Sequence, residues 1–145
     1  MSAGQSGVRI DGEQRGAALG DYDGDGRLDL VVGQNDGPTM VYHNETGRAG
    51  LRVRLAGPAG NPDGIGARVR LKDKEGKGPA REVKGGSGYW SQDSVVLVLA
   101  TAREVDEIEV KWPGGALTTA RVPAGAREIK VQMDGAISVL VRGTP

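Results

Sequence analysis

The sequence predicts an all-β fold, and three observations lead to this prediction. The first is composition: the 145 residues include 25 Gly and no Phe, so a core must come mainly from Val, Leu, Ile and Ala, which favours short strands. The second is the alternation of apolar and charged side chains in several segments, which is typical of strands with one buried face. The third is the presence of turn signals rich in Gly, Pro, Asn and Asp between those segments. We expect two parts, residues 1–48 and residues 49–145.

The first part is predicted to hold short strands around an acidic segment. Residues 15–20 lead into this segment, and residues 35–38 (Asn-Asp-Gly-Pro) form a turn signal after it. The Gly-containing residues 46–50 mark the end of the part. The predicted strands are residues 8–10, 28–33 and 39–43.

The second part is predicted to contain about eight strands and no helix. Alternation is clearest in three segments and indicates one buried and one solvated face for each. In the last of these segments the inward positions are Ile108, Val110 and Trp112. The alternating segments are residues 51–55, 67–72 and 107–112.

An apolar run and two hairpins complete the second part. Residues 95–99 are apolar throughout, so we expect this strand to lie centrally in a sheet with both faces covered. Pro-Gly-Gly at residues 113–115 predicts one hairpin turn. Asp-Gly at residues 134–135 predicts a second hairpin with a two-residue turn.

The acidic loop, residues 21–29, carries a carboxylate at its positions 1, 3, 5 and 9. Four acids within nine residues repel one another unless a cation lies between them. Alternating Asp residues suit Ca²⁺, which takes six to eight oxygen ligands at about 2.3–2.6 Å. Gly26 permits a tight turn that points the Arg27 carbonyl inward as a further ligand. The predicted metal ligands are Asp21, Asp23, Asp25, Arg27 and Asp29.

Two alternatives to this calcium site are an EF-hand and a plain acidic turn. An EF-hand needs a bidentate Glu at loop position 12, which is Val32 here, and a helix on each side. The acidic loop instead runs into a predicted strand, so we exclude the EF-hand. A solvated acidic turn that binds no metal stays open.

The acidic loop and its flanks, residues 19–33, have the sequence LGDYDGDGRLDLVVG. This segment resembles an FG-GAP/VCBS repeat, a unit that forms blades of β-propellers and carries Ca²⁺ in this type of loop. The resemblance implies that the four Asp side chains and the Arg27 carbonyl are calcium ligands. Only one copy is present and a propeller needs several blades, so the resemblance implies a propeller-blade-like fragment of a longer parent.

Three pieces of the second part carry another resemblance. They are GIGARV at residues 64–69, REVKGGSGYWSQ at residues 81–92 and VDEIEVKWPG at residues 105–114. Over about residues 51–132 the chain is similar to the ASPIC/UnbV domain, which occurs at the C-terminus of secreted proteins. The family has no well-established biochemical activity, so the resemblance implies an architecture, a β-sandwich or barrel-like domain, and no reaction.

Composition limits the partners and the location. The formal net charge is zero, so no overall field attracts nucleic acid, and no Cys is present for a disulfide, a zinc thiolate site or a thiol nucleophile. No segment approaches the roughly 18–20 apolar residues of a membrane span. Residues 1–7 lack the apolar core of a signal peptide. We therefore expect either a cytoplasmic protein or a fragment of a secreted, extracellular or periplasmic parent.

The Gly-rich loop, residues 85–92, is the second candidate site. It lacks the Gly-Lys-Ser/Thr of a phosphate-binding loop and the Gly-x-Ser-x-Gly of a nucleophile elbow, so we expect no catalysis by its two serines. Aromatic rings beside amides suit sugar faces and peptide groups, which makes Tyr89, Trp90 and Gln92 candidate ligand contacts. The alternative is a structural turn with Trp90 packed in the core.

The remaining candidates are basic and isolated residues. His43, the only histidine, stands at a predicted strand end, which favours a surface residue over a catalytic base. Basic residues at wet positions of two strands suggest a shared sheet face, which either binds a polyanion such as a sulfated glycan or forms solvated pairs with Glu107 and Glu109. These basic residues are Arg52, Arg54, Arg68, Arg70 and Lys72.

The leading functional hypothesis is a calcium-binding, non-catalytic recognition or adhesion module of a secreted protein. Metal-assisted hydrolysis needs an open coordination position and a nearby base, and no His, Glu or Cys lies within the acidic loop, so we expect no enzyme. The alternatives are a glycan-binding domain and an accessory domain of a secreted enzyme. The expected partner is a protein or a glycan, and unpaired strand edges also favour self-association.

Overall fold

A computed structural model describes residues 3–100 and 104–143 of the chain. The structure is 45% strand and 2% helix, which confirms the all-β prediction. The unpredicted helix α1 (Ala3–Ser6) is a single turn of four residues. No helix in the described residues has the length and apolar character needed to cross a membrane.

The first sheet is an antiparallel sheet of three strands built around the acidic loop. Its strands are β1 (Glu13–Gly20), β2 (Asp29–Asn35) and β3 (Met40–Tyr42), in the order β1-β2-β3. The prediction of a strand at residues 8–10 is wrong, because these residues pair with no strand. The segment lies near β3 instead, where the Tyr42 hydroxyl donates a hydrogen bond to the Arg9 carbonyl.

The rest of the chain forms a second sheet and a third sheet. The strands are β4 (Leu51–Ala56), β5 (Arg68–Asp73), β6 (Gly76–Lys77), β7 (Arg81–Glu82), β8 (Leu97–Leu99), β9 (Glu107–Lys111), β10 (Leu117–Arg121), β11 (Ala126–Gln132) and β12 (Ile137–Arg142). The second sheet has the order β10-β9-β5-β6, with β7 also paired to β5, and the third sheet has the order β12-β11-β4-β8. No strand pairing joins the two sheets in the described part of the chain, so they form a sandwich rather than a closed barrel.

One hydrophobic core lies between the second and third sheets. The inward positions of the alternating strands supply it, and Val53, Val69 and Ile129 are fully buried. The prediction that Ile108, Val110 and Trp112 face inward is confirmed, since all three are buried. The Trp112 indole nitrogen donates to the Thr118 hydroxyl at 2.8 Å, so its polar atom is satisfied within the core.

Both predicted hairpins are present, and one differs in its turn. The turn at residues 113–115 places Gly114 and Gly115 at φ values of 85° and 98°, a region that glycine adopts without strain. In the hairpin of β11 and β12, the amide of Gln132 donates to the carbonyl of Ala136, so three residues lie in the connection instead of two. Gly135 has a φ of 91°, as expected for a three-residue connection that ends in a left-handed residue.

The apolar segment at residues 95–99 does not lie centrally, so that prediction is wrong. Its strand β8 is at the edge of the third sheet and pairs only with β4 in the described structure. Leu99 is buried and Leu97 packs against the core, whereas Val96 and Val98 line a cavity with Leu19 from the first sheet. The second apolar face of β8 is therefore directed at the first sheet. A strand covered in this way has the same apolar sequence as a strand in the centre of a sheet, so the sequence alone does not distinguish the two positions.

The first sheet joins the sandwich through backbone contacts. The Gly50 amide donates to the Gly26 carbonyl at 2.8 Å, and the Ser94 amide donates to the Leu19 carbonyl at 2.8 Å. A Cβ at Gly26 would lie 3.1 Å from the Gly50 carbonyl oxygen, and Gly26 has a φ of 89°. Glycine is therefore needed here for both space and conformation, and the acidic loop packs directly on the start of β4. The division into residues 1–48 and 49–145 stays a prediction.

Candidate metal site and aromatic groove

The acidic loop is shaped by hydrogen bonds from its own backbone to Asp21. Oxygen Oδ1 of Asp21 accepts from the amides of Gly24 at 2.8 Å and Asp25 at 3.1 Å. Oxygen Oδ2 accepts from the Gly26 amide at 2.8 Å. Three backbone donors converge on one carboxylate, so the fold of the loop holds its acidic residues in a tight turn.

Asp29 anchors the far end of the acidic loop and is only 1% exposed. Its Oδ2 accepts from the Tyr22 amide at 3.2 Å, and its Oδ1 accepts from the Asn44 amide at 2.8 Å. One carboxylate thus connects the start of the loop to the segment after β3. The pairing of Leu30 with Tyr42 explains this contact, because it brings residues 29 and 43–44 side by side.

The predicted aspartates come together in two overlapping groups. Ligand atoms of Asp21, Asp23 and Asp29 lie within 4.8 Å of one another, and so do those of Asp23, Asp25 and His43. Asp23 belongs to both groups, so it links the other three carboxylates of the acidic loop, and the assignment of these residues as metal ligands stays a prediction. For Arg27, the backbone amide donates to Asp25 Oδ1 at 2.7 Å, and its role as a carbonyl ligand stays a prediction.

His43 belongs to this site, although its sequence position suggested an isolated surface residue. Its Nε2 lies 3.0 Å from Asp23 Oδ2 and 3.5 Å from Asp25 Oδ2, and its side chain is 36% exposed. Its ring meets the edge of Tyr22 with centroids 5.9 Å apart. The sequence contained a signal for this position. If the predicted strands on either side of residues 35–38 are paired as a hairpin, residue 43 lies beside residue 29.

The residues present fit a hard divalent cation. Asp25 Oδ2 is buried and accepts no hydrogen bond within residues 3–100 and 104–143, although the Arg27 guanidinium contacts it. The Arg27 guanidinium supplies positive charge to this oxygen but no hydrogen bond, so the oxygen keeps lone pairs that a metal ion can use. The donors are carboxylate oxygens, which Ca²⁺ prefers over softer ligands.

A buried ionic network joins the acidic loop to the sandwich. The Arg52 guanidinium on β4 contacts Asp21 Oδ2, and its Nε donates to Glu128 Oε2 on β11 at 2.8 Å. Side-chain exposure is 10% for Arg52, 0% for Asp21 and 8% for Glu128. Arg54 contacts the other Glu128 oxygen from a more exposed position. Arg52 thus connects the candidate metal site to the core sheet through side-chain ion pairs, in addition to the backbone contact between Gly50 and Gly26.

Burial and pairing act in opposite directions on the pKa values of this network. Burial alone would raise the pKa of the Asp21 carboxyl, but hydrogen bonds from Arg52 and the Gly26 amide outweigh it and hold the pKa below its ordinary value. Burial would likewise raise the pKa of Glu128, and the hydrogen bonds from Arg54 and Arg52 lower it further than burial raises it. The Arg52 pKa lies above its ordinary value, because the two carboxylates outweigh its burial.

The five basic residues do not share one sheet face, so that prediction is wrong. Arg52 and Arg54 lie on β4 in the third sheet, whereas Arg68, Arg70 and Lys72 lie on β5 in the second. The chain crosses the core between β4 and β5, which separates two strands that look alike in sequence. The alternative of paired, partly solvated charges is confirmed on β5.

Glu109 on β9 is the centre of those pairs on the second sheet. It lies 3.6 Å from Arg70, 3.1 Å from Lys72 and 2.8 Å from Lys77. Hydrogen bonds from Lys77 and Lys72 hold the pKa of Glu109 below its ordinary value. Glu107 makes one longer contact with Lys72, at 3.6 Å, from a side chain that is 46% exposed.

The Glu109 cluster predicts a loss of stability in acid. The pKa of Glu109 is lower in the folded protein than its unfolded value of about 4.5. The contribution of Glu109 to the free energy of unfolding is therefore fully present above pH 4.5 and is lost as the pH falls through the folded pKa. Glu109→Gln is expected to lower the free energy of unfolding by about 1–2 kcal/mol at pH 7. The difference from wild type should shrink below pH 4 in urea unfolding measured from pH 3 to pH 7. Glu107→Gln, the exposed control, should change stability by only a few tenths of a kcal/mol.

The Gly-rich loop places its aromatic side chains in solvent, so the alternative of a core-packed Trp90 is wrong. Trp90 is 91% exposed and Tyr89 is 61% exposed, and their rings are nearly parallel with an interplanar angle of 12° and centroids 5.7 Å apart. Trp90 has a φ of 50°, which is uncommon for a bulky residue and turns the indole outward. The core position belongs to Trp112 instead.

The exposed rings border a groove of about 670 Å³ between the Gly-rich loop and the first sheet. Gln92 also lines it, so all three predicted contact residues meet at one surface. Ser91 lines the groove too, whereas the Ser87 hydroxyl accepts the Asp93 amide at 2.9 Å. Whether this groove binds a ligand stays a prediction.

Two family models match the chain. The FG-GAP repeat model matches residues 15–50, which include the acidic loop and the whole first sheet after its first two residues. The ASPIC and UnbV model matches residues 57–138, which include most of the sandwich.

Cartilage acidic protein 1 from three vertebrates is similar to this chain. The protein from Xenopus tropicalis is 33% identical over 121 residues, which cover 79% of this chain. The protein from Homo sapiens is 30% identical over 125 residues and 79% of this chain, and that from Mus musculus is 30% identical over 122 residues and 77%. The chain spans 18% of the length of these relatives.

Proposed function

Because the chain belongs to the ASPIC and UnbV family and carries an FG-GAP repeat ahead of that domain, we propose that it is a calcium-binding, non-catalytic recognition module of an extracellular protein. FG-GAP repeats generally bind calcium, and the acidic loop of this chain supplies the carboxylates for it. The similarity to cartilage acidic protein 1 supports the extracellular location.

The single observation that carries the calcium proposal is the convergence of four carboxylates on one turn. Asp21, Asp23 and Asp29 form one group, Asp23 is shared with Asp25, and the Asp25 Oδ2 oxygen is buried without a hydrogen bond. The carboxylates of these residues and the Arg27 carbonyl would hold the ion. The cation would neutralise the repulsion between the carboxylates.

In this proposal calcium has a structural role at the junction of the first sheet and the sandwich. Asp21 accepts from the loop backbone and contacts Arg52, which in turn contacts Glu128 in the third sheet. Fixing the loop therefore also fixes the position of the first sheet on β4. A rigid junction holds the surfaces of both parts in one arrangement, which is what a recognition module requires.

Calcium titration tests this proposal. We expect the wild-type chain to bind Ca²⁺ by isothermal calorimetry and its melting temperature to rise with added Ca²⁺. At a free concentration about 100 times the dissociation constant, binding adds roughly 2.7 kcal/mol to the stability. Asp25→Ala should abolish both effects, because it removes the buried oxygen that lacks a hydrogen bond.

Asp63→Ala is the matched control, because Asp63 is an exposed carboxylate outside the acidic loop. It should bind Ca²⁺ and respond to it like the wild-type chain. Absence of binding heat up to millimolar Ca²⁺ in the folded wild-type protein would contradict the proposal. An equal rise of melting temperature in Asp25→Ala would contradict the assignment of the site.

A further inference from the structure

We propose that the groove between the Gly-rich loop and the first sheet binds a neutral sugar, with a pyranose ring lying against the exposed indole of Trp90. The proposal goes beyond calcium binding and uses other residues than the acidic loop. It rests on the proposed role as a recognition module, for which it names a surface and a class of partner.

The first reason is the exposure of two large aromatic rings that the local backbone holds outward. Trp90 exposes 91% of its surface at a φ of 50°, a conformation that costs a bulky residue free energy. The turn is closed by a bridge between Gly88 and Ser91 and by the Ser87 amide, which donates to the Ser91 carbonyl at 3.1 Å. The indole is therefore presented by a closed turn, and such strained residues cluster at ligand sites.

The second reason is that this turn packs closely against the first sheet. A Cβ at Gly16 on β1 would lie 2.7 Å from the Tyr89 carbonyl oxygen and 3.2 Å from the Ser91 Cβ, so the turn and the strand are in direct contact. The Leu19 amide on β1 also donates to Asp93 Oδ1 at 2.8 Å, just beyond the loop. A platform fixed in this way loses little conformational entropy when a ligand binds.

The third reason is the polar chemistry of the groove. The Ser91 hydroxyl oxygen is buried and has no hydrogen-bond partner among the described residues. Amide side chains of Gln34, Asn35 and Gln92 line the same groove. Hydroxyls and amides both donate and accept hydrogen bonds, as sugar hydroxyls do, while the apolar face of a pyranose ring suits an aromatic ring.

Charge and strand pairing favour a neutral sugar over other ligands. Among the described residues that line the groove, Arg15 is the basic one, and it is paired with Glu13 at 2.8 Å, so this lining offers no unpaired positive charge to a phosphate or a sulfate. An extended peptide that adds a strand would need a free edge of β1. Near Leu19 that edge is already bonded to Asp93 and Ser94. The volume of about 670 Å³ lies within the usual range for small-molecule sites.

Fluorescence titration with neutral disaccharides tests the proposal, since Trp90 and the buried Trp112 are the two tryptophans of the chain. Lactose, maltose, cellobiose and chitobiose would be added to the intact chain, in calcium and in chelator. We expect at least one of them to shift the emission of Trp90 to the blue and to saturate. Trp90→Ala should weaken the binding, measured by calorimetry, at least tenfold, while Gln92→Ala should weaken it less.

Leu117→Ala is the control, because Leu117 is an exposed apolar residue on β10, outside the groove. It should bind the sugar like wild type, and the emission of Trp112 reports folding of every variant. Failure of all four sugars, or equal binding by Trp90→Ala, would overturn the proposal. Calorimetric titration of the same samples with Ca²⁺ separates the two hypotheses. If Ca²⁺ binds and no sugar binds, only the sugar-binding proposal is rejected, and if a sugar binds and Ca²⁺ does not, only the calcium proposal is rejected.

Discussion

Replacing Arg52 with methionine is expected to lower the free energy of unfolding by about 3–5 kcal/mol, as is typical when one partner of a buried ion pair is removed. The Arg52 side chain is 10% exposed and lies between Asp21 and Glu128, whose side chains are also buried. Without the guanidinium, both carboxylates keep their desolvation penalty, Asp21 loses the arginine that contacts it, and Glu128 keeps only Arg54. Urea unfolding in the presence of a chelator measures the loss without any contribution from calcium.

Arg54→Met is the matched control for Arg52→Met. Arg54 contacts the same Glu128 from the same strand, but its side chain is 45% exposed, so water screens the pair and the expected cost is below about 1 kcal/mol. Added Ca²⁺ should recover part of the stability lost in Arg52→Met, because a cation at Asp21 replaces the missing positive charge. Equal costs for the two arginine variants would show that burial does not decide the strength of this network.

The local features of this protein follow from its sequence because the interactions that form them are short in range. The acidic loop folds through bonds from Gly24 and Gly26 to Asp21, all within six residues. The inward positions Ile108 and Val110 follow from alternation, since one face of a strand must be buried. The hairpin at residues 113–115 follows from its glycines, which alone adopt the required φ without strain.

The features that the sequence did not predict depend on contacts between distant segments. Arg52 and Glu128 are 76 positions apart, and they meet because β4 and β11 pair in parallel. The residues next to Trp90 in the sequence are equally compatible with a buried and with an exposed indole. The indole points outward because the turn that carries it packs against Gly16, which is more than 70 residues away in the sequence. The β8 segment is covered partly by the first sheet, so its apolar run did not indicate its position in the third sheet.

Replacing Asp29 with alanine is the second change with a large expected effect, about 2–6 kcal/mol of unfolding free energy even without calcium. Asp29 is 1% exposed and accepts from the backbone amides of Tyr22 and Asn44. Alanine leaves both donors without a partner in a buried site, at about 1–3 kcal/mol each. Chemical denaturation in chelator measures this structural part, and repetition in excess Ca²⁺ adds the part that depends on the ion.

Asp29→Asn separates the two roles of this residue. The asparagine amide oxygen still accepts one of the two backbone hydrogen bonds, so the loss in chelator should be about half of that in Asp29→Ala. The amide oxygen is still a possible ligand but carries no charge, so Asp29→Asn should bind Ca²⁺ more weakly and need a higher Ca²⁺ concentration for the same rise of melting temperature. Asp25→Ala should show no calcium response and a smaller loss in chelator than Asp29→Ala, because Asp25 accepts one backbone hydrogen bond, from the Arg27 amide, where Asp29 accepts two. If Asp29→Asn kept the wild-type calcium affinity, the negative charge of Asp29 would contribute nothing to binding the ion, and its role would be to anchor the loop.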